Sequence, residues 1–331
     1  MNKKAVALFS GGLDSTLAIK LVLEQGVEVV GLHFVTPFCT CDKKGCGSST
    51  IEVAKQLGIK VKTISLTDEY FEIVKNPKFG YGANLNPCID CRILILKKAK
   101  VFMEEIGASF LVTGEVLNQR PMSQRRNTLK LIEKEAGVEG LVLRPLSAKV
   151  LEPTIPELEG VVDRNKFLDI VGRSRKIQLS LAREYKIEEY GCPSGGCLLT
   201  DPIFAKKMKD LIEHKPNFTL TDVNLLKVGR HFRINNNAKL VVGRNEKENN
   251  FLLNIAKPTD PIFLVVNTNG PAGIGKGEFS EEDLYLCSKI VARYSDKISD
   301  SIKIKVSKNG YNREYICYEI ISQQELERIR I

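Results

Sequence analysis

The amino-acid sequence predicts an α/β protein, a doubly wound parallel sheet followed by a second, smaller α+β domain. Over about the first 150 residues, short apolar segments alternate with segments whose apolar spacing is close to 3.6 residues. This alternation is typical of buried parallel strands separated by helices. A glycine-rich turn follows the first strand, and from about residue 222 the pattern changes to strands. We predict domains at 1–216 and 217–331.

The elements of the first domain follow one another regularly. Strands are predicted at AVALF, VEVVGLHFV, KVKTISL, ASFLVTGE and EGLVLRPL. Helices are predicted at LDSTLAIKLVLEQ, STIEVAKQLG, CIDCRILILKKAKVFMEEIG, NKFLDIVGRSRKIQLSLAREYKI and IFAKKMKDLIEH. Ligands of such sheets bind at the carboxyl ends of the strands, so we expect Leu8–Ser15, His33–Cys46 and Thr113–Arg120 to meet there.

The second domain is predicted to contain mostly strands. These are NLLKVGRHFRI, KLVVGR, DPIFLVVN, IKIKVS and REYICYEII, with one helix at SEEDLYLCSKIVARYS. Cys287 lies in that helix and Cys317 in the last strand, and we expect both to be ordinary buried residues.

Composition restricts the class of protein. No run of about 18 apolar residues appears, so we expect no membrane span. The first apolar run stops at Phe9, too early for a secretory signal, and this predicts a cytoplasmic protein. The 331 residues carry a net charge of +9, which fits a nucleic-acid partner but also simple solubility. Nine cysteines in a reducing compartment argue against a disulfide framework.

The glycine turn SGGLDS predicts an anion site. It lacks the lysine of a Walker A loop and the spacing of a dinucleotide fingerprint. Helix N–H groups attract an anion, Gly11 and Gly12 allow close approach, and the hydroxyls of Ser10 and Ser15 add donors. Asp14 would repel a bare phosphate, which suggests a bridging Mg²⁺ or compensating cationic side chains. Pyrophosphate, released when ATP is cut between its α and β phosphates, fits this turn.

The turn resembles the SGGxDS motif of the PP-loop family, the N-type ATP pyrophosphatases, in full. The resemblance implies a HUP-type fold, ATP at the strand ends, adenylation of a carbonyl oxygen and release of pyrophosphate. VTGEVLNQRPMSQ resembles the nucleotide-contacting segment of this group, and LRPLSAK resembles its later phosphate-side segment. We therefore expect nucleotide contacts from Gly114 and Arg144, and His33 is expected to line the adenine pocket.

Clustered cysteines indicate sulfur or metal chemistry. Cys88 and Cys91 form a CxxC pair at a helix N-terminus, where thiol pKa values are lowered, and Cys192 and Cys197 lie in a glycine-rich loop. A four-cysteine zinc site, a persulfide pair and a three-cysteine 4Fe-4S cluster with one open iron all remain as interpretations. A second cluster, Cys39, Cys41 and Cys46, follows the second strand; zinc binding, sulfur relay and a redox-sensitive loop stay open for it.

The NPCIDCR segment resembles the tRNA 2-thiouridylases and the tRNA thiolases that hold an iron–sulfur cluster with a CxxC and one distant cysteine. The resemblance implies metal ligation by Cys88, Cys91 and Cys197, with GGCLLTDP favouring Cys197 over Cys192 as the third ligand. Asp14, Cys88 and Cys197 are the implied catalytic residues. ATP, Mg²⁺ and a 4Fe-4S cluster, or zinc instead of the cluster, are the implied cofactors.

The C-terminal region resembles the NFACT RNA-binding module through VGRN and the asparagine-rich helix start after it. In IKIKVS, apolar residues alternate with Lys303, Lys305 and Ser307, so one strand face is predicted to be basic. We expect Lys308 and Arg313 to extend that face toward RNA phosphates. An edge strand protected by lysines is the alternative.

Together with these patterns, the resemblances imply an ATP-dependent tRNA thiolase that adenylates a uridine carbonyl and then transfers sulfur. Its expected partners are tRNA and a sulfur donor, either sulfide or a persulfide carrier, and a homodimer is an open option. Two rivals remain. One is a PP-loop ligase with a nitrogen nucleophile, and the other is a non-catalytic, RNA-binding iron–sulfur redox sensor.

Overall fold

The first unit of the chain, Met1–Thr200, is built on a sheet whose strands all run parallel. The computed structural model describes residues 1–39, 46–187, 190, 196–296 and 301–331, with the backbone alone described at 46–49. The strands are β1 (Lys4–Leu8), β2 (Glu28–Val35), β3 (Lys60–Ser65), β4 (Phe110–Thr113) and β5 (Val142–Leu143). The order β3-β2-β1-β4-β5 confirms the doubly wound fold, and the winding reverses between β1 and β4.

Helices cover both faces of this sheet. They are α1 (Leu13–Leu23), α2 (Cys46–Leu57), α3 (Asp68–Lys75), α4 (Cys88–Glu105), α5 (Arg126–Ala136), α6 (Ile155–Leu158) and α7 (Lys176–Glu184). Ala5 and Ala7 of β1 belong to the core shared with α1, whereas Val6 and Leu8 belong to the core shared with α4. Successive strand residues point to opposite faces, so a strand buried on both sides reads as a continuous apolar run.

The helix predicted over 165–187 is wrong in its first part. Only Lys176–Glu184 is α-helical, after a single 3-10 turn at Arg164–Lys166. Gly172 has φ 88°, a left-handed value that a helix does not accommodate, and its N–H donates to the carbonyl of Leu117 at 2.7 Å. The chain before α7 therefore pairs with the segment after β4, and this brings Arg175 toward the carboxyl edge of the sheet.

The second unit, Asp201–Ile331, contains an antiparallel sheet. Its strands are β6 (Arg230–Asn235), β7 (Ala238–Val242), β8 (Ile262–Val265), β9 (Ala272–Gly277), β10 (Ile302–Lys308) and β11 (Tyr311–Cys317), in the order β11-β10-β8-β9-β7-β6 within the described residues. Its helices are α8 (Pro202–His214), α9 (Leu220–Leu226), α10 (Glu246–Ile255), α11 (Glu281–Arg293) and α12 (Gln323–Ile329). The predicted α+β class is confirmed.

Two sequence expectations for this unit need adjustment. The strand predicted from Asn224 begins only at Arg230, because the preceding residues form α9, which opens with a capping box between Thr219 and Asp222. The sequence predicts a domain boundary at residue 216, whereas the observed units divide after Thr200. The helix α8 therefore belongs to the second unit and not to the first. Asp210 of α8 pairs with Arg233 at 2.7 Å and with Lys239 at 2.9 Å, so this helix is tied to the second sheet.

The expectation for two isolated cysteines is confirmed. Cys287 and Cys317 are buried among apolar side chains of the second unit's core. Among the described residues, no helix has both the length and the apolar character that crossing a membrane requires.

Candidate active site

The turn between β1 and α1 leaves the first N–H groups of the helix without a side-chain cap. Gly12 occupies the N-cap position with extended backbone and forms no side-chain capping bond. Gly11 has φ 70°, the left-handed region that glycine adopts without cost. The hydroxyls of Ser10 and Ser15 lie 3.1 Å apart beside this helix end. Uncapped N–H groups and the helix dipole together suit an anion.

Gly114 lies directly against this turn, at the end of β4. A Cβ atom at this position would approach the carbonyl carbon of Asp14 and the nitrogen of Ser15 to 2.5 Å. Only glycine therefore lets the end of β4 pack against the first turn of α1. The predicted nucleotide-contacting glycine thus has a packing role in shaping the crevice between β1 and β4.

Asp14 is held in the crevice with one oxygen unpaired. Its Oδ2 accepts a hydrogen bond from Gln119 Nε2 at 3.1 Å, and Arg175 Nη2 lies 3.7 Å from the same oxygen. Its Oδ1 is buried and has no hydrogen-bond partner in the described part of the chain. Burial raises the pKa of Asp14, while the Gln119 hydrogen bond and the Arg175 charge oppose the rise. A buried carboxylate oxygen without a partner fits a cation such as Mg²⁺.

A cavity of about 790 Å³ lies at the carboxyl edge of this sheet. The volume is within the usual range for a small-molecule or cofactor site. Four cationic side chains contribute to its wall and are suited to a polyphosphate: Lys55, Arg92, Arg120 and Arg175. The structure brings most of the predicted site residues into the same wall: Ser10, Gly12, Asp14, Ser15, His33, Cys88, Cys91, Gly114 and Cys197.

His33 lies at the carboxyl half of β2. Its Nδ1 is 2.9 Å from the carbonyl oxygen of Phe9, which can only accept, so Nδ1 carries the proton. The neutral ring then keeps an acceptor at Nε2. His33 is therefore fixed in one orientation in the cavity wall.

The thiols of Cys91 and Cys197 lie close to the hydroxyl of Tyr70, and all three residues line the cavity. Burial raises the pKa of Cys91, and burial raises the pKa of Cys197 to about 12. Both thiols are therefore protonated at neutral pH until a metal or another partner displaces the proton. Cys88, at the first position of α4, lines the same cavity.

These three thiols have the chemistry of an iron–sulfur or zinc ligand set. However, over the ranges that the structure describes, no group of three or more His, Cys, Asp or Glu side chains is arranged so that it could hold a metal ion. Cys192, the fourth ligand in the zinc interpretation, and Cys41 lie outside the described residues, as does the side chain of Cys46. Metal ligation by Cys88, Cys91 and Cys197 stays a prediction.

Arg144 is not brought to the cavity wall. It is 5% exposed, its Nε donates to Glu115 Oε2 at 3.0 Å, and its Nη1 donates to Glu133 at 2.5 Å. Glu115 also accepts from Arg92 Nη2 at 2.6 Å. Burial opposes ionisation of Glu115, but the two arginines outweigh it and lower its pKa to about 2. Arg144 therefore supports the end of β4 through Glu115, which does line the cavity.

Sequence reasoning missed several residues of this wall. Gln119 and Arg120 lie in a segment identified by resemblance, but neither was singled out. Arg175 falls within the helix that was predicted too long, so the sequence did not indicate that it reaches the cavity. Tyr70 belongs to α3 and is not part of a recognisable motif, so only the structure shows that it lines the cavity. Cys39 was visible as part of a cysteine cluster, and the structure places it in the cavity wall.

The second unit presents a different candidate surface. Ile302, Ile304 and Val306 of β10 are buried, as predicted, and Lys303 and Lys305 point to the other face. Arg313 was expected to extend the basic face, and this is wrong. It pairs with Val306 in the ladder, so it shares the face of the buried residues, where it contacts Glu281 at 2.5 Å. Lys308 is two residues after Val306 in β10, so its side chain points to the same face as Val306 and not to the basic face.

The VGRN segment of this unit has a structural role. Asn245 caps α10 by accepting from the N–H of Glu248, and Arg244 pairs with the carboxylate of Glu248. A Cβ atom at Gly243 would approach Asn249 Oδ1 to 2.1 Å, so a larger residue where β7 meets α10 would displace the Asn249 side chain. The motif therefore fixes the β7–α10 junction.

Two family models match this chain. Residues 1–151 match the model described as thiamine biosynthesis protein (ThiI), and residues 229–330 match the NFACT protein RNA binding domain. A tRNA-specific 2-thiouridylase MnmA of Clostridium acetobutylicum is 38% identical over 131 residues, covering 34% of this chain and 36% of that protein. A probable tRNA sulfurtransferase of Ureaplasma urealyticum is 33% identical over 153 residues, covering 44% of this chain and 37% of that protein.

The chain spans a little over a third of the length of these curated relatives. Among solved structures, the U34-tRNA thiolase NcsA from Methanococcus maripaludis with its 4Fe-4S cluster aligns with a TM-score of 0.33 and 15% identity. That alignment covers 68% of this chain and 71% of the thiolase. We conclude from the two family models and the curated relatives that the first unit of this chain resembles the PP-loop tRNA thiolases and the second resembles the NFACT RNA binding domain.

Proposed function

We propose that this protein is an ATP-dependent tRNA sulfurtransferase. The observation that carries the proposal is one cavity whose wall contains both Asp14 of the glycine turn and the thiols of Cys88, Cys91 and Cys197. A nucleotide site and a sulfur site that share a cavity suit a reaction in which ATP activates a base and sulfur then replaces oxygen. The family model and the curated relatives support the same activity for the first unit.

In the first step, the turn residues bind the β and γ phosphates of ATP. The uncapped N–H groups of α1 and the hydroxyls of Ser10 and Ser15 donate to phosphate oxygens, and Arg175 offsets their charge. Asp14 would hold Mg²⁺ through its unpaired oxygen, and the metal would neutralise charge on the leaving pyrophosphate. A uridine carbonyl oxygen attacks the α phosphorus, which forms an adenylated base and releases pyrophosphate.

In the second step, sulfur displaces AMP from the activated carbon. Cys88, Cys91 and Cys197 would hold the sulfur centre. Sulfide as the donor needs no electrons, whereas a persulfide carrier also needs two, which two of these thiols would supply by closing a disulfide. A 4Fe-4S cluster held by these thiols would supply an open iron for sulfide, and zinc is the alternative metal. Tyr70 lines the same cavity beside Cys91 and Cys197, whichever form the centre takes. His33 lines the same cavity, and we infer that it contacts the adenine ring.

Release of pyrophosphate tests the first step. We expect release that depends on both ATP and tRNA, and a loss of at least about a hundredfold in Asp14→Asn, because an amide does not hold Mg²⁺ as a carboxylate does. Asp68→Asn, at an exposed position of α3, is the matched control and should retain the wild-type rate. Equal rates in wild type and Asp14→Asn would reject the assignment of this turn.

We further propose that the second unit contacts tRNA phosphates through the β10 face that carries Lys303 and Lys305. The match to the NFACT RNA binding domain supports this, as does the outward direction of these two lysines. Contacts of this type position the RNA without reading its sequence. The nitrogen-ligase alternative is less consistent with a cavity that contains four cysteines. The redox-sensor alternative gives no role to Asp14, although the turn motif SGGLDS that contains it is complete.

A further inference from the structure

Cys39 lies opposite Cys197 across an isolated antiparallel bridge at the cavity wall. The N–H of Leu198 donates to the carbonyl of Phe38 at 2.8 Å. This bond joins the residue before Cys39 to the residue after Cys197, so the two cysteines form a non-hydrogen-bonded pair. In such pairs the Cα atoms are about 4.5 Å apart and both side chains project from the same side of the ladder.

That spacing suits a covalent link between the two sulfurs. Disulfides usually join residues whose Cα atoms are about 4.4 to 6.8 Å apart, with the Cβ atoms closer still. Cys39 and Cys197 are therefore positioned to be joined with little movement of the backbone. Both are free thiols in this structure.

The bridge is anchored by buried residues on both sides. Phe38 is fully buried, and its ring packs against Tyr70 and Phe71 with centroids 5.6 and 6.1 Å away. Leu199, two residues after Cys197, is also fully buried, and its carbonyl accepts from the N–H of Leu85 at 3.2 Å. Because the flanking residues are fixed in the core, the two cysteines are held opposite each other by the fold.

We propose that Cys39 and Cys197 form a reversible disulfide that withdraws Cys197 from the sulfur centre. The formation of the disulfide is inferred only from the geometry of the bridge between Cys39 and Cys197. Only its consequence, the loss of sulfur transfer, rests on the function proposed above. A low-molecular-weight disulfide, RSSR, is the class of oxidant that accepts the two electrons.

The exchange balances as two successive thiolate attacks. Cys39 thiolate attacks one sulfur of RSSR, which forms a mixed disulfide and releases one RS⁻. The Cys197 thiol loses its proton, and its sulfur attacks the Cys39 sulfur, which forms the Cys39–Cys197 bond and releases the second RS⁻. Two electrons pass from the cysteine pair to RSSR, and the two cysteine protons leave with the two released thiols. An excess of thiol reverses both steps.

The test uses the full chain, purified under reducing conditions and equilibrated in buffers of increasing oxidised-to-reduced glutathione ratio. Remaining thiols are then alkylated, and cleavage after lysine and arginine yields the fragments 21–43 and 187–206. Mass spectrometry should find these two fragments joined, and separate again after addition of excess dithiothreitol. Absence of the joined pair at every ratio overturns the proposal.

Each fragment contains two cysteines, so four single variants identify the bond. Cys41→Ser and Cys192→Ser should keep the joined pair, whereas Cys39→Ser and Cys197→Ser should lose it. A joined pair that persists in Cys39→Ser, or a disulfide formed only between Cys88 and Cys91, would contradict the assignment.

Activity measurements separate the disulfide from the proposed function. Oxidised wild type should lose most of its thiolation of tRNA and regain it with dithiothreitol, whereas Cys39→Ser should be equally active before and after oxidation. If reduced wild type produces no thionucleoside, the proposed function fails while the disulfide can still be observed. If the disulfide forms and activity is unchanged, the inhibitory role of the bond is rejected.

Discussion

Arg175 Nη2 lies 3.7 Å from Asp14 Oδ2, so a cation from the segment before α7 reaches the carboxylate of the first turn. Asp14 is largely buried, and burial alone favours its neutral form. Arg175 and Gln119 both favour the charged form, which is the form that a Mg²⁺ ligand requires. The ion pair therefore couples the position of the 165–175 segment to the charge state of the candidate catalytic carboxylate.

Replacing Arg175 by Ala should weaken ATP turnover and move its pH dependence. Without the arginine the pKa of Asp14 rises further, so the acidic limb of kcat/KM for pyrophosphate release shifts to higher pH. Removing a cation that binds phosphate should also lower kcat/KM by roughly tenfold, which is about 1.4 kcal/mol. Arg173→Ala, at an exposed position of the same segment, is the control. An unchanged pH profile in Arg175→Ala would contradict the coupling.

Glu115 should contribute stability that is lost in acid. Its pKa is about 2 in the folded protein, below the ordinary value of 4.5, because Arg92 and Arg144 outweigh its burial. A lowered pKa stabilises the fold at pH values above 4.5, and that contribution disappears as the pH falls from 4.5 toward 2. Glu115→Gln should therefore destabilise the first unit by about 3 kcal/mol at pH 7.

The measurement is thermal unfolding of wild type, Glu115→Gln and the exposed-site control Glu104→Gln between pH 7 and pH 3. The melting temperature of Glu115→Gln should be clearly lower than that of wild type at pH 7, and the gap should narrow in acid. A constant gap at all pH values would mean that ionisation of Glu115 is not the source of the stability.

The part of the site that is formed by consecutive residues could be predicted from the sequence. The glycine turn, its serines and Asp14 lie within six consecutive residues between a strand and a helix, so their position follows from the motif. The cysteines were identified as a set because their spacing is unusual. The structure adds that Cys88, Cys91 and Cys197 line the cavity that contains Asp14.

The rest depends on contacts that are distant in sequence. Arg144 was assigned to the nucleotide because of its segment, but two carboxylates already engage its guanidinium. Arg313 was assigned to the basic face from its nearness to the β10–β11 turn. The ladder register pairs it with Val306 and so turns it to the opposite face, and a strand's register is set by its partners in the sheet.

A metal centre at the predicted cysteines should be visible directly. Protein purified without oxygen is expected to be brown and to contain about four irons, and Cys88→Ala, Cys91→Ala and Cys197→Ala should each lose the colour. Cys192→Ala is the matched variant and should keep it. One zinc lost in all four variants, with no iron found, would instead indicate a structural four-cysteine site.

The β10 face should contribute electrostatic affinity for tRNA. Lys303→Ala and Lys305→Ala should each weaken binding and flatten the slope of log K against log salt by roughly 0.7 to 0.9 for every phosphate that is no longer neutralised. Lys308→Ala is the matched control, since Lys308 lies on the other strand face. Equal slopes for all three variants and wild type, measured by fluorescence anisotropy with labelled tRNA, would show that RNA binds elsewhere.

The central claim is that ATP activation and sulfur transfer take place in one cavity. The most direct measurement incubates the full chain with unmodified tRNA, ATP, Mg²⁺ and ³⁴S-labelled sulfide under anaerobic conditions, followed by nucleoside mass spectrometry. We predict a labelled thiouridine that requires ATP and is absent in Asp14→Asn and in Cys197→Ala. Pyrophosphate release from ATP and tRNA without any labelled thionucleoside, or with nitrogen incorporated instead, would contradict the account.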